Sequence, residues 1–339
     1  MDVFELTRAL VDIESITLNE EAAGNFLYAF LAPLAARFGG TVERMEVEPR
    51  RFNIFAQWGE PLTVTLSTHM DTVPPFCGSR EDQTHIWGRG ACDAKGIIAA
   101  MIHAAWGLLE TGERGFGLLF VVGEERNSAG AYRASRDGRG SRYIVNGEPT
   151  GNKLALGSKG ALRYEVVATG KMAHSAYPEL GDSAIHKLVD ALSAIRKIPL
   201  PVDSLLGPST LNIGTIAGGR APNVVADEAH ADIMIRLVGE SAEIKEALAS
   251  AVAGRAELRE VIEIPALRLN AIPGIETTVV AFTTDIPAFG GEWGEPFLIG
   301  PGSIHVAHTL EERVSREQLV EAVSIYQRIM RHLCKIASK

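Results

Sequence analysis

The sequence predicts an α/β protein whose mostly parallel sheet carries helices on both faces and whose chain is interrupted by an inserted ferredoxin-like α+β domain. Three observations carry this expectation. Strand-like apolar runs alternate with helix-like ones over residues 1–156, the pattern changes to polar–apolar alternation over 157–267, and mixed α/β signals resume over 268–339. Alternating strands and helices imply parallel strands joined by helical crossovers, whereas period-two alternation implies strands with one exposed face.

Taken in order, the opening "MDVFELTRALVDIESI" reads as an amphipathic helix, because Asp2, Glu5 and Arg8 break what would otherwise be a signal peptide's apolar core. "NIFAQW", "LTVTLST", "GLLFVVG" and "RYIVNG" read as strands, with the helix "GIIAAMIHAAWGLL" and a helical "SAGAYRAS" between them. The middle segment runs "LRYEVVATG", "DSAIHKLVDALSAIRKI", "STLNIGTIAGG", "EAHADIMIRLV", "SAEIKEALASAVA" and "ELREVIEIPAL". That order is β-α-β-β-α-β, the split-βαβ pattern. After residue 268 come "ETTVVAFTTD", "EPFLIGPG" and a closing helix from Arg316. A tail with one helix would scarcely build its own core, so it reads as the first domain resuming.

Composition narrows the function. The 339 residues are 46% hydrophobic and 22% charged, with a formal net charge of −9. An acidic balance repels a phosphate backbone, so nucleic acid is not an expected partner. The longest apolar run, residues 96–109, contains His103 and is short of a bilayer span, so no membrane role is expected either. The three cysteines lack Cys-x-x-Cys spacing, which fits a reducing cytoplasm and neither a disulfide framework nor a zinc ribbon.

The chemistry gathers where strands end. In an open parallel sheet, ligands bind beyond the carboxyl ends of the strands. "LTVTLST" ends in His69 and Asp71, "GLLFVVG" in Glu124 and Glu125, and "RYIVNG" in Glu148, while "PFLIGPGSIHVAH" runs through a Gly-Pro-Gly turn to His308. Asp93 follows "WGRGAC" and precedes the apolar helix. Taken singly, a strand-end histidine or a Glu-Glu pair is ordinary solvated surface. Together, so many carboxylates would repel one another unless cations lay among them. His69, Asp93, Glu125, Glu148 and His308 suit two divalent ions about 3.5–4 Å apart with one bridging carboxylate. Mixed nitrogen and oxygen ligands favour zinc, with cobalt or manganese as alternatives. Asp71 then orients the ring of His69 from behind.

The motifs "STHMDTVP", "GRGACDAKG", "VVGEE", "NGEPT" and "GPGSIHVAHT" occur in the order of a known family. The chain resembles the dinuclear zinc amidohydrolases and metallopeptidases that include acetylornithine deacetylase, succinyl-diaminopimelate desuccinylase and carboxypeptidase G. The resemblance extends through the inserted segment and covers nearly the whole chain. It implies His69, Glu125, Glu148 and His308 as terminal ligands of two zinc ions, Asp93 as the bridge, and Glu124 as general base with Asp71 as the orienting carboxylate. It also implies that His174 in "GKMAHSAYP" stabilises the oxyanion, often from the partner subunit of a homodimer formed through the inserted domain. Asn223 in "APNVV", Arg236 in "DIMIR", Lys159 and Gly302 correspond to substrate-binding positions. "GPGSIHVAHT" departs from the pattern by carrying a second histidine, His305; the "AHT" match favours His308 as the ligand.

The implied function is metal-assisted hydrolysis of the amide bond of a small N-acyl amino acid, with dipeptidase or aminopeptidase activity as the alternative and a non-catalytic metal-binding module as the weaker rival from another class. Two further readings are weaker. "GRGACD" has Asp93 where a dinucleotide fingerprint needs its third glycine. Cys92 as a nucleophile is less plausible than Cys92 as a small apolar packing residue.

Overall fold

The computed structural model describes residues 1–337 and divides into two compact units. The first holds Met1–Leu156, Leu269–Thr278 and the chain from Thr284 onward; the second holds Gly157–Arg268 and Val279–Thr283. The short return 279–283 lies in the stretch that the sequence assigns wholly to the first domain. It joins the second unit because Lys159 N donates to Val280 O at 3.1 Å and Ser158 Oγ to Phe282 O at 2.5 Å.

The first unit opens with α1 (Val3–Val11), capped by Asp2 and Glu5 in a reciprocal capping box. Then come α2 (Glu21–Phe38), β1 (Thr41–Glu48), β2 (Arg51–Trp58) and β3 (Val64–His69). After these follow α3 (Lys95–Glu110), β4 (Phe116–Val121), α4 (Ala129–Ala134) and β5 (Tyr143–Asn146). In the second unit are β6 (Gly160–Thr169), α5 (Ala184–Ile195), β7 (Thr210–Gly218), β8 (Glu228–Leu237), α6 (Ala242–Val252) and β9 (Glu257–Ile264). The chain returns through β10 (Glu295–Leu298) and ends in α7 (Arg316–Ala337).

The main sheet has the order β1-β2-β4-β3-β5-β10. β4, β3, β5 and β10 run parallel, while β1 and β2 add an antiparallel edge. Its faces are both buried, as alternate residues of β4 show. Phe116, Leu118 and Phe120 enter the large core with α1, α2, α3 and α7; Leu119 and Val121 enter a smaller core with Met45, Ala131 and Trp293. α3 is buried almost all round, which explains its continuous apolar sequence. α7 instead buries one stripe, Leu319, Ala322, Ile325, Tyr326, Ile329, Met330 and Leu333.

β1 and α2 carry no expectation from the sequence. Glu43, Arg44 and Glu46 make β1 a charged edge strand, and Gly24 and Pro33 weaken the helical signal of α2. The second unit is an antiparallel sheet in the order β7-β8-β6-β9. With α5 and α6 it makes the predicted β-α-β-β-α-β unit around its own core. Among the described residues no helix is long and apolar enough to cross a membrane.

Candidate metal centre

Parallel order converts separate sequence motifs into one site. β3 lies between β4 and β5 in the sheet, all three running the same way, so their carboxyl ends emerge side by side. β3 delivers His69 as its last residue, the exit of β4 delivers Glu124 and Glu125, and the exit of β5 delivers Glu148. Gly123, with φ +82°, turns the chain after β4 through a conformation that a side chain resists. Asp93 enters from the turn before α3, and His308 from the loop after β10.

Two groups of ligand-type atoms result, His69–Asp93–Glu148 and Asp93–Glu125–His308, each with its atoms within 4.8 Å of one another. Asp93 belongs to both. Its Oδ1 lies 2.9 Å from His69 Nε2 and its Oδ2 3.4 Å from His308 Nε2, so the two oxygens face different groups. His308 Nε2 also lies 3.0 Å from Glu125 Oε1. His305 belongs to neither group; its side chain is exposed. His308 itself sits at φ +62°, a strained region in which histidine is among the more tolerated residues.

The donor set fits divalent cations. Burial, with the neighbouring charges of Glu148 and Asp285, pushes the Glu124 carboxyl well above the usual range. Burial together with Asp93 does the same to Glu148, and burial raises Glu125. Glu148 Oε1 is buried with no hydrogen-bond partner, a costly state that a bound cation would relieve. Against these acids, burial opposes protonating His69, yet hydrogen bonds with Asp71 and Asp93 outweigh it and raise its pKa well above the imidazole range. Hydrogen bonds with Asp93 and Glu125 lift His308 to about 10. Without metal, protons occupy the places where positive charge is needed.

Asp71 does more than orient His69. The ring Nδ1 of His69 lies 3.0 Å from the Asp71 backbone carbonyl and 3.5 Å from the carboxylate, so the carbonyl is the closer acceptor. The carboxylate instead accepts from Glu124 N at 3.1 Å, Glu125 N at 3.3 Å and Thr17 Oγ1 at 2.8 Å. One buried side chain thereby pins the backbone of both glutamates. Thr17 was not singled out in the sequence, nor was Asp285, a carboxyl 1% exposed. Ser128 offers Asp285 a hydroxyl, but neither carboxyl oxygen completes a hydrogen bond of good geometry, and burial pushes its pKa to about 7.

The remaining predicted residues separate. Gly302 has φ +87°, and a Cβ there would meet Cys92 Cβ at 2.5 Å. Its N–H donates to Gln318 Oε1 and its carbonyl accepts from Gly151 N, so both backbone groups already serve the fold. In the second unit, His174 and Asn223 are neighbours: Ser175 N donates to Asn223 O at 3.0 Å, and His174 bridges Val224. Both side chains are exposed. Lys159 and Arg236 lie at the other end of the same sheet, where Gly160 pairs with Leu237 and Ala161 with Arg236; His174 and Asn223 lie past the Thr169–Glu228 pair. The strand from Ala161 to Thr169 spans about 26 Å at roughly 3.3 Å per residue. Arg236 is half-buried and makes no ion pair among the described residues; burial lowers its pKa. Lys159 Nζ donates to Pro208 O at 2.6 Å.

Known proteins resemble this chain along most of its length. The model for peptidase family M20/M25/M40 matches residues 65–332. A peptidase M20 domain-containing protein of Schizosaccharomyces pombe is 38% identical over 340 residues, covering 97% of this chain and 84% of its own. A probable carboxypeptidase of Aspergillus niger is 38% identical over 369 residues, covering 95% and 88%. In fold, the chain is similar to the crystal structure of a tripeptidase from Staphylococcus aureus, with a TM-score of 0.80, 22% identity and 98% of each chain covered.

Proposed function

This chain belongs to peptidase family M20/M25/M40, and on that premise we propose that it is a metal-dependent hydrolase of the amide bond to an amino acid that bears a free carboxylate. Such a bond is the last peptide bond of a short peptide or the acyl linkage of an N-acyl amino acid. The observation that carries the reading is the pair of ligand groups sharing Asp93.

His69, Asp93 and Glu148 would hold one ion and Asp93, Glu125 and His308 the other, with zinc favoured and cobalt or manganese as alternatives. Bound there, two such ions supply polarisation of the scissile carbonyl and acidification of water. Glu124 is the general base: its carboxylate takes a proton from the attacking water and passes it to the departing amine as the C–N bond breaks. Asp71 aims it by holding its backbone N–H. Arg236, which pairs with no carboxylate among the described residues, receives the substrate's carboxylate, with Lys159 at the same end of the sheet.

We further propose a homodimer in which His174 and Asn223 come from the partner subunit, His174 opposing charge on the tetrahedral intermediate. Its support is the separation of those two residues from Arg236 along one sheet.

The relatives named probable carboxypeptidases favour a peptide substrate; the motif resemblance to acetylornithine deacetylase and succinyl-diaminopimelate desuccinylase favours an acyl amino acid. Kinetics with dipeptides, N-acetylornithine, N-acetyl-lysine and N-succinyl-diaminopimelate, each compared with its C-terminal amide, test the reading. The amides are expected to lose at least about 30-fold in kcat/KM, since truncating one partner of a buried charged contact costs about 2–5 kcal/mol. Equal turnover of acids and amides would overturn the carboxylate assignment.

A further inference from the structure

We propose that Glu312 is a positioning residue whose carboxylate fixes the turn presenting Asp93, so that both ligand groups depend on it. The proposal rests on the reading of Asp93 as the shared metal ligand. Glu312 lies four residues beyond His308 on the loop after β10, and more than 200 residues from the turn it touches.

Its carboxylate is 2% exposed and gathers the turn from several directions. Oε1 accepts from Gly90 N at 2.8 Å and from Asp93 N at 3.3 Å. Oε2 accepts from Arg89 Nη1 at 2.5 Å. The Cys92 thiol approaches Oε1 at 3.8 Å. The backbone joins in, with Gly88 N donating to Glu312 O at 3.0 Å. Arg89, equally buried, extends the tie by donating from Nε to Pro75 O at 3.3 Å.

Asp93 must face His69 with one oxygen and His308 with the other, so a small rotation of its turn disturbs both groups at once. The turn has no regular secondary structure of its own before α3 begins at Lys95. A buried ion pair adds little net stability over apolar residues of similar size. What this one supplies is register between the Asp93 turn and the His308 loop. Removing the carboxylate would leave the N–H groups of Gly90 and Asp93 and the Arg89 guanidinium buried without it.

The test compares the wild-type chain with Glu312→Ala, Glu312→Gln and the control Glu311→Ala, whose exposed carboxylate meets Arg80 at the surface. Circular dichroism verifies folding. Co2+ affinity is read by competition with a chelator, and ligand geometry by the cobalt absorption spectrum. Glu312→Ala is expected to bind Co2+ about 10–100-fold more weakly, as loss of a partner behind a metal ligand does. Its cobalt spectrum shifts, and kcat falls while KM stays nearly constant. Glu312→Gln, which can still accept from Gly90 and Asp93, is expected to recover part of the affinity, and Glu311→Ala to match wild type. Wild-type affinity and spectrum in Glu312→Ala would overturn the proposal; if that variant fails to fold, wild-type values in Glu312→Gln would do so. A wild-type protein that takes up no cobalt would overturn the metal reading instead.

Discussion

In the group His69–Asp93–Glu148 all three residues are at most 5% exposed, whereas in Asp93–Glu125–His308 the His308 side chain is 47% exposed. The first group is built largely by neighbouring strands: His69 closes β3 and Glu148 follows β5 by two residues. The second leans on a loop, with His308 held at a positive φ. Shared through Asp93, the two halves therefore differ in the elements that carry them and in access to water. On that difference the sheet-built half is expected to retain its geometry when emptied and the loop-built half to exchange an ion more readily.

Removing what the halves share has the largest expected effect. Asp93→Ala is expected to lose both ions and to reduce kcat/KM by more than about 10⁴-fold, because polarisation of the carbonyl and acidification of water would fail together. Metal analysis beside kinetics checks this, and an Asp93→Ala protein that retains both ions would break the account. Glu124→Gln touches neither half. It is expected to keep both metals while kcat falls by roughly 10²–10⁴-fold; near-normal turnover would remove Glu124 from its role.

Splitting the halves sharpens the comparison. His308→Ala is expected to lose the exposed ion first, leaving about one tightly held ion per chain. His69→Ala is expected to cost more, because it leaves Asp93 and Glu148 buried without their imidazole. Chelator competition on the two variants ranks them, and the reverse ranking would contradict the difference in burial.

The smallest effect is on stability. The pKa of His308 rises from an ordinary 6.5 to about 10 in the folded metal-free protein. A raised histidine stabilises fully below its unfolded pKa and loses that contribution as pH climbs through the folded one. Glu124, Glu125 and Glu148, also raised, act in the same direction, since their ionisation is disfavoured by folding. Melting with chelator present is expected to shift to lower temperature between pH 6.5 and 10, and the shift to shrink with metal added, because metal binding itself displaces protons. A chelated protein that gains stability over that range would contradict the electrostatics of both halves.

Much of this centre is legible in the sequence because apolar runs stop at ionisable residues, and parallel strands bring such stops together. The same logic makes the β-α-β-β-α-β order of the second unit readable from its periodicity. What periodicity cannot supply is long-range pairing. Thr17 meets Asp71 54 residues away, and Glu312 meets Asp93 219 residues away; nothing local in either segment announces a partner. The second role of Asp71, holding two backbone N–H groups, likewise depends on where β4 exits. The resemblance assigns His174 and Arg236 to one kind of site, yet strand register puts them at opposite ends of a sheet. Residue type carries chemistry, but only register carries distance.

The most direct measurement is calorimetric titration of the metal-free protein with Zn2+ or Co2+, repeated on Asp93→Ala. The account requires two ions per chain in the wild type, one bound more tightly than the other, and neither in the variant. No uptake by the wild type, or two ions retained once Asp93 is gone, would contradict it.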